Sequence, residues 1–177
     1  MIAFWREAGP KRWFASDPDF DRLLAERFGA AHLAASRGDL QAWEDTPAGA
    51  LALLILTDQF SRNLYRGSAH AFATDAMARA VTERALARGF DQQNDVVMRQ
   101  FFYLPFQHHE DLAAQARALE LYARLQADGG DGSGLTYAKI HADIITRFGR
   151  FPHRNAVMGR VSTPEEIAFL ADGGFAG

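Results

Sequence analysis

The sequence of 177 residues contains no cysteine, and this absence excludes several classes of protein at once. Disulfide scaffolds, thiolate zinc sites, iron–sulfur clusters and cysteine nucleophiles all need thiols. Long hydrophobic runs are absent as well, because the longest, residues 50–56, is far shorter than the roughly 20 residues of a membrane span. The apolar residues 1–5 are followed by Arg6 and lack the pattern of a secretion signal. We therefore expect a cytoplasmic protein that does not enter a membrane.

A large excess of charge of one sign is also absent. The chain has 19 basic and 22 acidic residues, which gives a formal net charge of −3. Nucleic-acid-binding domains usually have a pI above about 9, whereas the pI of this sequence is near 6.0. The hydrophobic share of 48% is typical of a folded protein. A chain of this length normally forms one domain with its own core, so we expect a single domain over residues 1–177.

Signals that begin helices are frequent along the chain. Asp17-Pro18 and Thr46-Pro47 each place an N-cap acceptor directly before a proline, which is a preferred start of a helix. The second of these helices is apolar on every side over residues 51–56, so we expect it to be central and buried. A parallel strand is the rival interpretation of this run, but its alanine content and few β-branched residues disfavour a strand.

Apolar spacing and capping residues indicate the other helices. We predict helices over residues 71–88, over 94–103 with Pro105 as the end, from about 109 to before 129, through 137–148, and after 162–164 with a capping box. Residues 128–134 are predicted to form a flexible surface loop. No segment alternates with period 2, and no 34-residue repeat is present. The predicted fold class is all-α, with about seven helices in one irregular superhelical or bundle domain.

A group of polar residues at positions 58–63 continues the most hydrophobic helix. Asp58 lies four residues after Leu54, and Arg62 lies four residues after Asp58. One helix face therefore changes from leucine to a pair of opposite charges in the favourable order. The simplest interpretation is a structural ion pair at a helix end. Because charges on a buried face need partners, we expect the pair to be buried and linked to the basic segment described below.

Histidines supply the candidate acid–base groups. His108 and His109 directly precede two acidic residues, and Glu110 and Asp111 could equally stabilise the first turn of a helix. Adjacent rings point about 100° apart on a helix, and no His-x-x-x-His or Glu-x-x-His pattern is present, so we expect no metal and no cofactor. His141 lies on an apolar helix face, where a core histidine is the commoner case. His108, Glu110 and His141 are the catalytic candidates if a reaction is catalysed.

The most unusual segment, residues 147–160, contains four arginines and a histidine but no acid. Gly149 and Pro152 show that the chain leaves a helix there. Basic residues interleaved with aromatic ones at a helix end suit an anion, a phosphate or a single-stranded nucleic acid. The alternative is a rigid corner whose arginines pair with acids elsewhere in the chain, such as Asp58, Glu110 or Asp143.

Taken together, four segments resemble a known family. LTDQFSRNLYRGS (56–68), AFATDAMA (71–78), PFQHHED (105–111) and HADIITRFGRFPHRN (141–155) are similar to the bacterial DUF924 family of unknown function. The resemblance covers nearly the whole chain and implies an all-α, tetratricopeptide-like fold without regular repeats, but no established activity. His109 departs from the family pattern, so His108 is the better candidate of the two. The resemblance marks these positions: Asp58, Gln59, Arg62, Asn63, Arg66, Asp75, His108, Glu110, Gln115, His141, Arg150, His153, Arg154 and Asn155.

Functions of different classes remain open. In the first, a pocket binds a small anionic ligand such as a carboxylate or phosphate through charge-assisted bonds. Its affinity for the anion should rise as the pH falls through about 6.5, if a histidine of the site joins protonated. The alternative is a tetratricopeptide-like module that binds a protein or peptide, an expectation from fold analogy. RNA binding through residues 147–160 is opposed by the net negative charge, so nucleic acid is not the expected partner. The candidate ligand-binding residues are Asp58, Arg62, Asn63, Arg150, His153, Arg154 and Asn155.

Overall fold

The structure is a computed structural model that describes the whole chain, Met1–Gly177. The all-α prediction is confirmed, since 72% of the residues are helical and no strand is present. The predicted number of about seven helices is wrong, because the chain forms ten. The three that the sequence did not predict (α1, α2 and α7) have seven residues or fewer, too few for an apolar period to show. The helices are α1 (Ile2–Ala8), α2 (Pro10–Trp13), α3 (Pro18–Ser36), α4 (Pro47–Leu54, continued by a π-helical turn Ile55–Gln59 and by Phe60–Leu64), α5 (Asp75–Ala87), α6 (Val96–Arg99), α7 (Leu104–Gln107), α8 (Leu112–Ala127), α9 (Ser133–Phe148) and α10 (Pro164–Ala171).

Capping side chains set the helix starts that the sequence predicted. Asp17 accepts hydrogen bonds from two backbone N–H groups in the first turn of α3, and Thr46 accepts one in α4. Before α10, Thr163 and Glu166 form the predicted capping box, each side chain accepting from the other residue's backbone N–H. These bonds satisfy N–H groups that the first turn of a helix otherwise leaves without a partner.

Three predicted boundaries differ from the structure. The helix expected from residue 71 begins at Asp75, because a 3₁₀ turn over Ala69–Phe72 precedes it. Pro105 does not end a helix but lies in the first turn of α7, where a proline is tolerated. Helix α9 begins at Ser133, so the loop expected over residues 128–134 is limited to residues 128–132.

Backbone contacts divide the chain into two compact units, Met1–Pro105 and Phe106–Gly177. The expectation of a single domain over residues 1–177 and that of a tetratricopeptide-like arrangement both stay predictions. No helix combines the length and the apolar composition that crossing a bilayer requires.

The core of the first unit is rich in aromatic rings. The ring of the fully buried Trp5 lies 6.0 Å from Trp13, 5.1 Å from Phe60 and 5.9 Å from Phe101, measured between centroids. The indole N–H of Trp13 donates to the carbonyl of Trp5 at 2.6 Å. Residues 50–56 of α4 are all buried, as the sequence predicted. The polar residues that continue α4 therefore lie in a place where each needs a partner.

In the second unit, α8 and α9 pack closely together. Gly134 permits this packing, because a Cβ atom there would lie 2.4 Å from Cε1 of Tyr122. Helix α9 ends at Gly149, whose φ of +69° is the left-handed conformation that glycine adopts without strain. The chain then turns through a 3₁₀ turn, Pro152–Arg154, and buries Phe151 completely against α9.

Candidate functional site

The polar segment of the first unit begins in the π-helical turn of α4, Ile55–Gln59. The N–H of Phe60 donates to the carbonyl of Ile55, five residues earlier, where an α-helix would use the residue four earlier. Hydroxyl groups bond carbonyls at this turn, as when Ser61 Oγ donates to the carbonyl of Thr57 at 3.1 Å. Turns of this kind are frequent at functional sites. The prediction that residues 58–63 include ligand-binding residues is consistent with this position.

Asp58 and Arg62 form the ion pair that the sequence predicted, and a second carboxylate joins them. Arg62 Nη1 lies 3.3 Å from Asp58 Oδ1, and the guanidinium binds both carboxylate oxygens of Asp75 in α5 at 3.0 and 3.1 Å. The Asp58 side chain is only 2% exposed. Burial by itself would lower the pKa of Arg62, but the two carboxylates outweigh burial and raise it, so the guanidinium stays charged. The expected link of this pair to residues 147–160 stays a prediction.

Asn63 connects helices rather than extending the charge cluster. Its Nδ2 donates to Asp21 Oδ1 at 2.7 Å, and Arg66 Nε donates to Asp21 Oδ2 at 2.9 Å. Asp21 belongs to α3, so these bonds fasten α3 to the end of α4. Of the predicted ligand-binding residues in the first unit, Arg62 and Asn63 are therefore engaged with carboxylates of that unit, and Asp58 is engaged with Arg62.

In the second unit, Arg150 and Asn155 both bind Glu166. Arg150 donates from Nε to Oε1 at 2.6 Å and from Nη2 to Oε2 at 2.8 Å, and Asn155 Nδ2 donates to Oε2 at 3.1 Å. The bidentate bond from Arg150 is the main reason that the pKa of Glu166 is lowered to about 2. The predicted anion ligand Arg150 thus has a carboxylate of this chain as its partner.

Glu110 is held by the basic segment in a similar way. Arg160 donates to Oε2 at 2.6 Å and to Oε1 at 2.9 Å, while the backbone N–H of Phe151 donates to Oε1 at 2.8 Å. Burial acts to raise the pKa of Glu110, but Arg160 and the N–H of Phe151 outweigh burial and lower it. Glu110 therefore stays ionised and joins the segment before α8 to the turn after α9.

Three predicted site residues from three separate segments come together in the second unit. The ring centroids of His108 and His141 lie 6.2 Å apart, and Phe151 lies 5.2 Å from His141 and 5.6 Å from His153. Phe175 lies 4.7 Å from His141 and 5.5 Å from His153. His141 is buried, whereas His108 and His153 are half-buried. We call His108, His141 and His153 the imidazole cluster.

The surroundings keep two rings of the imidazole cluster neutral. Burial, His108 and Arg154 lower the pKa of His141 to about 3, and burial and Arg154 lower the pKa of His153 to about 4. His141 Nδ1 lies 2.8 Å from the carbonyl of Tyr137, so this nitrogen carries the proton and Nε2 is an acceptor. The Nδ1 atom of His153 is buried and has no hydrogen-bond partner.

Arg154 and Gln115 hold the segment that carries His108. The guanidinium carbon of Arg154 lies 4.4 Å from the ring centroid of Phe151, and its Nη1 donates to the carbonyl of His108 at 3.0 Å. Gln115, on α8, donates from Nε2 to the carbonyl of His109 at 2.6 Å and to the carbonyl of Gln107 at 2.8 Å. These bonds fix the backbone on both sides of His108.

Several partners in these sites escape prediction from the residues alone. Asp75 is marked only by the family resemblance, and Glu166 is predicted only as a helix cap. Arg160 lies inside the basic segment, whose arginines are expected, as one alternative, to pair with acids such as Glu110, and Arg160 is the arginine that pairs with Glu110. Phe175 lies in a glycine-rich segment after the last helix, where no apolar period could reveal a ring that packs inward.

Two open hollows on the surface lie away from these sites. One of about 460 Å³ lies at the start of α9 and includes Gln126 and Lys139. The other, of about 630 Å³, lies in the first unit and is mostly apolar, with Trp43 and Ala52 in its wall. Neither is lined by a predicted site residue. No group of three or more histidine, aspartate or glutamate side chains is arranged to hold a metal ion.

Comparison with known proteins gives a family but no activity. No curated protein matches the chain. The solved structure of a protein of unknown function from Agrobacterium tumefaciens, ATU0120, is 48% identical and superposes with a TM-score of 0.91, covering 97% of this chain and 95% of that one. The model of a bacterial family of unknown function, DUF924, matches residues 1–174. Because this match spans nearly all of the sequence, the chain belongs to the DUF924 family.

Proposed function

We propose that this protein binds a small anionic ligand, a carboxylate or a phosphate, at the imidazole cluster and Arg154. The observation that carries the proposal is the meeting of three imidazole rings with a guanidinium: the guanidinium carbon of Arg154 lies 4.4 Å from the ring of Phe151, which also contacts His141 and His153. Burial is the main cause that lowers the pKa of His141 and His153, and the charge of Arg154 lowers both further, while Glu110 acts to raise that of His153. The guanidinium charge would attract a negative ligand beside these rings.

Suitable donors for an anion are present around the imidazole cluster. The guanidinium of Arg154 has five N–H donors in one plane, a geometry that suits carboxylate and phosphate oxygens. His153 has a buried Nδ1 atom without a partner, and a protonated imidazole donates from both nitrogens. His108 and His153 are half-buried, so solvent reaches the edge of the cluster. These features support binding at this place rather than at Arg150, which Glu166 already engages.

Binding is favoured over acid–base catalysis. A general base works best when its pKa lies near the operating pH, whereas the pKa values of His141 and His153 are about 3 and 4. Glu110 is held by Arg160 and donates no proton at neutral pH, because its pKa is lowered. A bound anion would raise the pKa of the neighbouring rings, so binding should take up protons and tighten as the pH falls from 7 to 5.

A titration with inorganic phosphate, followed through the imidazole C–H resonances, tests the proposal. We expect saturable shifts of the His141 and His153 signals in the wild type and roughly tenfold or greater weakening in Arg154→Gln, because a charge-assisted bond contributes about 1.5–3 kcal/mol. Arg147→Gln is the matched control, since Arg147 is exposed and lies over the rings of Phe148 and Phe169. It should bind phosphate like the wild type.

Arg154 is buried, so its variant could fail to fold, and His153→Gln is a second, half-buried site for the same test. Equal affinity in the wild type, Arg154→Gln and His153→Gln would contradict the proposal. So would the absence of any shift with phosphate and with acetate, and that result would favour the peptide-binding alternative.

A further inference from the structure

The segment after α10 lies on the imidazole cluster with an aromatic side chain. Phe175 lies 4.7 Å from the ring of His141 at an interplanar angle of 59°, and 5.5 Å from that of His153 at 78°. These are distances and tilts at which aromatic rings attract each other. The backbone follows closely, because a Cβ atom at Gly177 would lie 3.3 Å from Cδ2 of His153.

Few interactions hold this segment in place. Its last backbone hydrogen bond joins the N–H of Gly174 to the carbonyl of Phe169 at 2.9 Å, and residues 175–177 make no hydrogen bond. Gly173 has a φ of +82°, so the chain bends there in a conformation suited to glycine. Phe175 itself is only half-buried. Its ring also packs on the buried cluster of Ile144, Ile145 and Phe151. A segment held by one side chain, with no backbone hydrogen bond after Gly174, can leave its place without breaking secondary structure.

The polar atoms beside Phe175 receive no hydrogen bond from its phenyl ring and donate none to it. His141 Nε2 is an acceptor, His153 Nδ1 has no partner, and Arg154 lies against the other bridging ring, Phe151. A molecule with a similar ring and a carboxylate would keep the ring contacts and accept hydrogen bonds from Arg154 and from His153 Nδ1–H, whereas His141 Nε2, an acceptor, would not bond the carboxylate.

We infer that Phe175 occupies the place of a ligand's aromatic ring, so that the site takes an aromatic carboxylate in competition with residues 173–177. This inference rests on the proposed anion site and adds the ligand class and its competitor. A ligand that binds only when the segment is displaced has an apparent affinity lowered by the fraction of molecules in which the site is open. Removal of the Phe175 ring therefore tightens binding of the aromatic carboxylate.

The experiment compares phenylacetate, cyclohexylacetate and inorganic phosphate as ligands of the wild type, Phe175→Ala and Phe169→Ala. Phe169→Ala is the matched control, because Phe169 belongs to α10 and packs on Phe148, with ring centroids 5.1 Å apart. Calorimetry measures each affinity, and circular dichroism confirms that each variant is folded. We expect Phe175→Ala to bind phenylacetate about tenfold tighter than the wild type does, and Phe169→Ala to match the wild type.

The three ligands separate this inference from the proposed function. Equal affinity for phenylacetate and cyclohexylacetate in Phe175→Ala would overturn the aromatic class, and unchanged phenylacetate affinity would overturn the competition. Phosphate binding with no phenylacetate binding would leave the anion site standing and refute the inference alone. In the wild type, saturating phenylacetate should also abolish the nuclear Overhauser contacts between Phe175 and the rings of His141 and His153. Their persistence in the saturated protein would refute the displacement.

Discussion

Each unit has one polar site, and the two sites use different secondary-structure elements. They also differ in whether every polar group has a hydrogen-bond or ion-pair partner. The site at Asp58, Arg62 and Asp75 lies on two helices, and its half-buried guanidinium faces two carboxylates. The imidazole cluster takes its rings from a loop, a helix and a 3₁₀ turn, and holds His141 and His153 neutral. Matched charges stabilise a fold, whereas neutral rings with an unpartnered nitrogen suit a ligand. On this contrast, the first site stabilises the fold, and the second is the place where we propose that a ligand binds.

The largest expected effect is the loss of stability on removing Asp58. We expect Asp58→Ala to lower the free energy of unfolding by about 3–4 kcal/mol, because it removes a buried carboxylate and leaves Arg62 and Gln59 with one partner fewer, although Arg62 keeps Asp75. Denaturant unfolding measures this change. Glu120→Ala is the control, since Glu120 pairs with Arg117 at the surface, where such a pair contributes about 1 kcal/mol or less. A cost below about 0.5 kcal/mol for Asp58→Ala would remove the distinction between the two sites.

A smaller effect is expected at Glu166, which supports the second site from α10. Glu166→Ala removes the capping box and the bonds from Asn155 and Arg150, so we expect a loss of roughly 2–3 kcal/mol. The estimate is below that for Asp58 because Arg150 is 28% exposed and its charge is partly screened. Glu165→Ala, an exposed neighbour in the same turn, is the matched control. Equal losses in both variants would mean that the corner after α9 does not depend on Glu166.

The smallest expected effect, counted for one pH unit, is the change of stability with pH. His141 and His153 have a pKa near 6.5 when unfolded but about 3 and 4 when folded, so the unfolded chain binds more protons between these values. Stability should therefore fall as the pH drops below about 6.5, by up to about 1.4 kcal/mol per pH unit for each ring. Unfolding between pH 7 and 5 measures chiefly the imidazoles, because the stability that the lowered pKa values of Glu110 and Glu166 contribute is lost mostly as the pH falls below about 4.5, the pKa of an unfolded glutamate.

His141→Gln should flatten this pH dependence, and His70→Gln, which removes an exposed imidazole, is its control. The comparison between the two sites would fail if both variants kept the slope of the wild type. In that case the fold would not disfavour protonation of the imidazole cluster, and its polar groups would be as well satisfied as those of Asp58, Arg62 and Asp75.

The first site was largely predictable because helical spacing carries its information. Asp58 and Arg62 are four residues apart on an apolar helix, so their pairing and burial follow from the sequence. Thr46 and Thr163 likewise indicate helix starts, because an N-cap side chain bonds a backbone N–H only three residues away and needs no tertiary structure. The short helices α2 and α7 have no such period, and Pro105 in α7 shows that proline alone does not decide a boundary.

The second site was predictable only as separate candidates. His108, His141 and His153 each stand out in the sequence, but their meeting depends on how α8, α9 and the following turn pack. The arginines of residues 147–160 look available for an anion in the sequence, whereas Glu166 and Glu110 bind two of them in the structure. Long-range pairs such as Arg160 with Glu110, 50 residues apart, have no local signal.

The π-helical turn Ile55–Gln59 adds one residue to α4, and each added residue rotates all later positions by about 100° around the helix axis. A relative whose helix is regular here would need one residue fewer, so an alignment of the two sequences must place a gap within residues 55–59. Deleting one residue in that stretch would turn Arg62 and Asn63 to a different side of the helix. Insertion or deletion of a single residue in this stretch would therefore create or abolish the pairing of Arg62 with Asp75 without changing either residue.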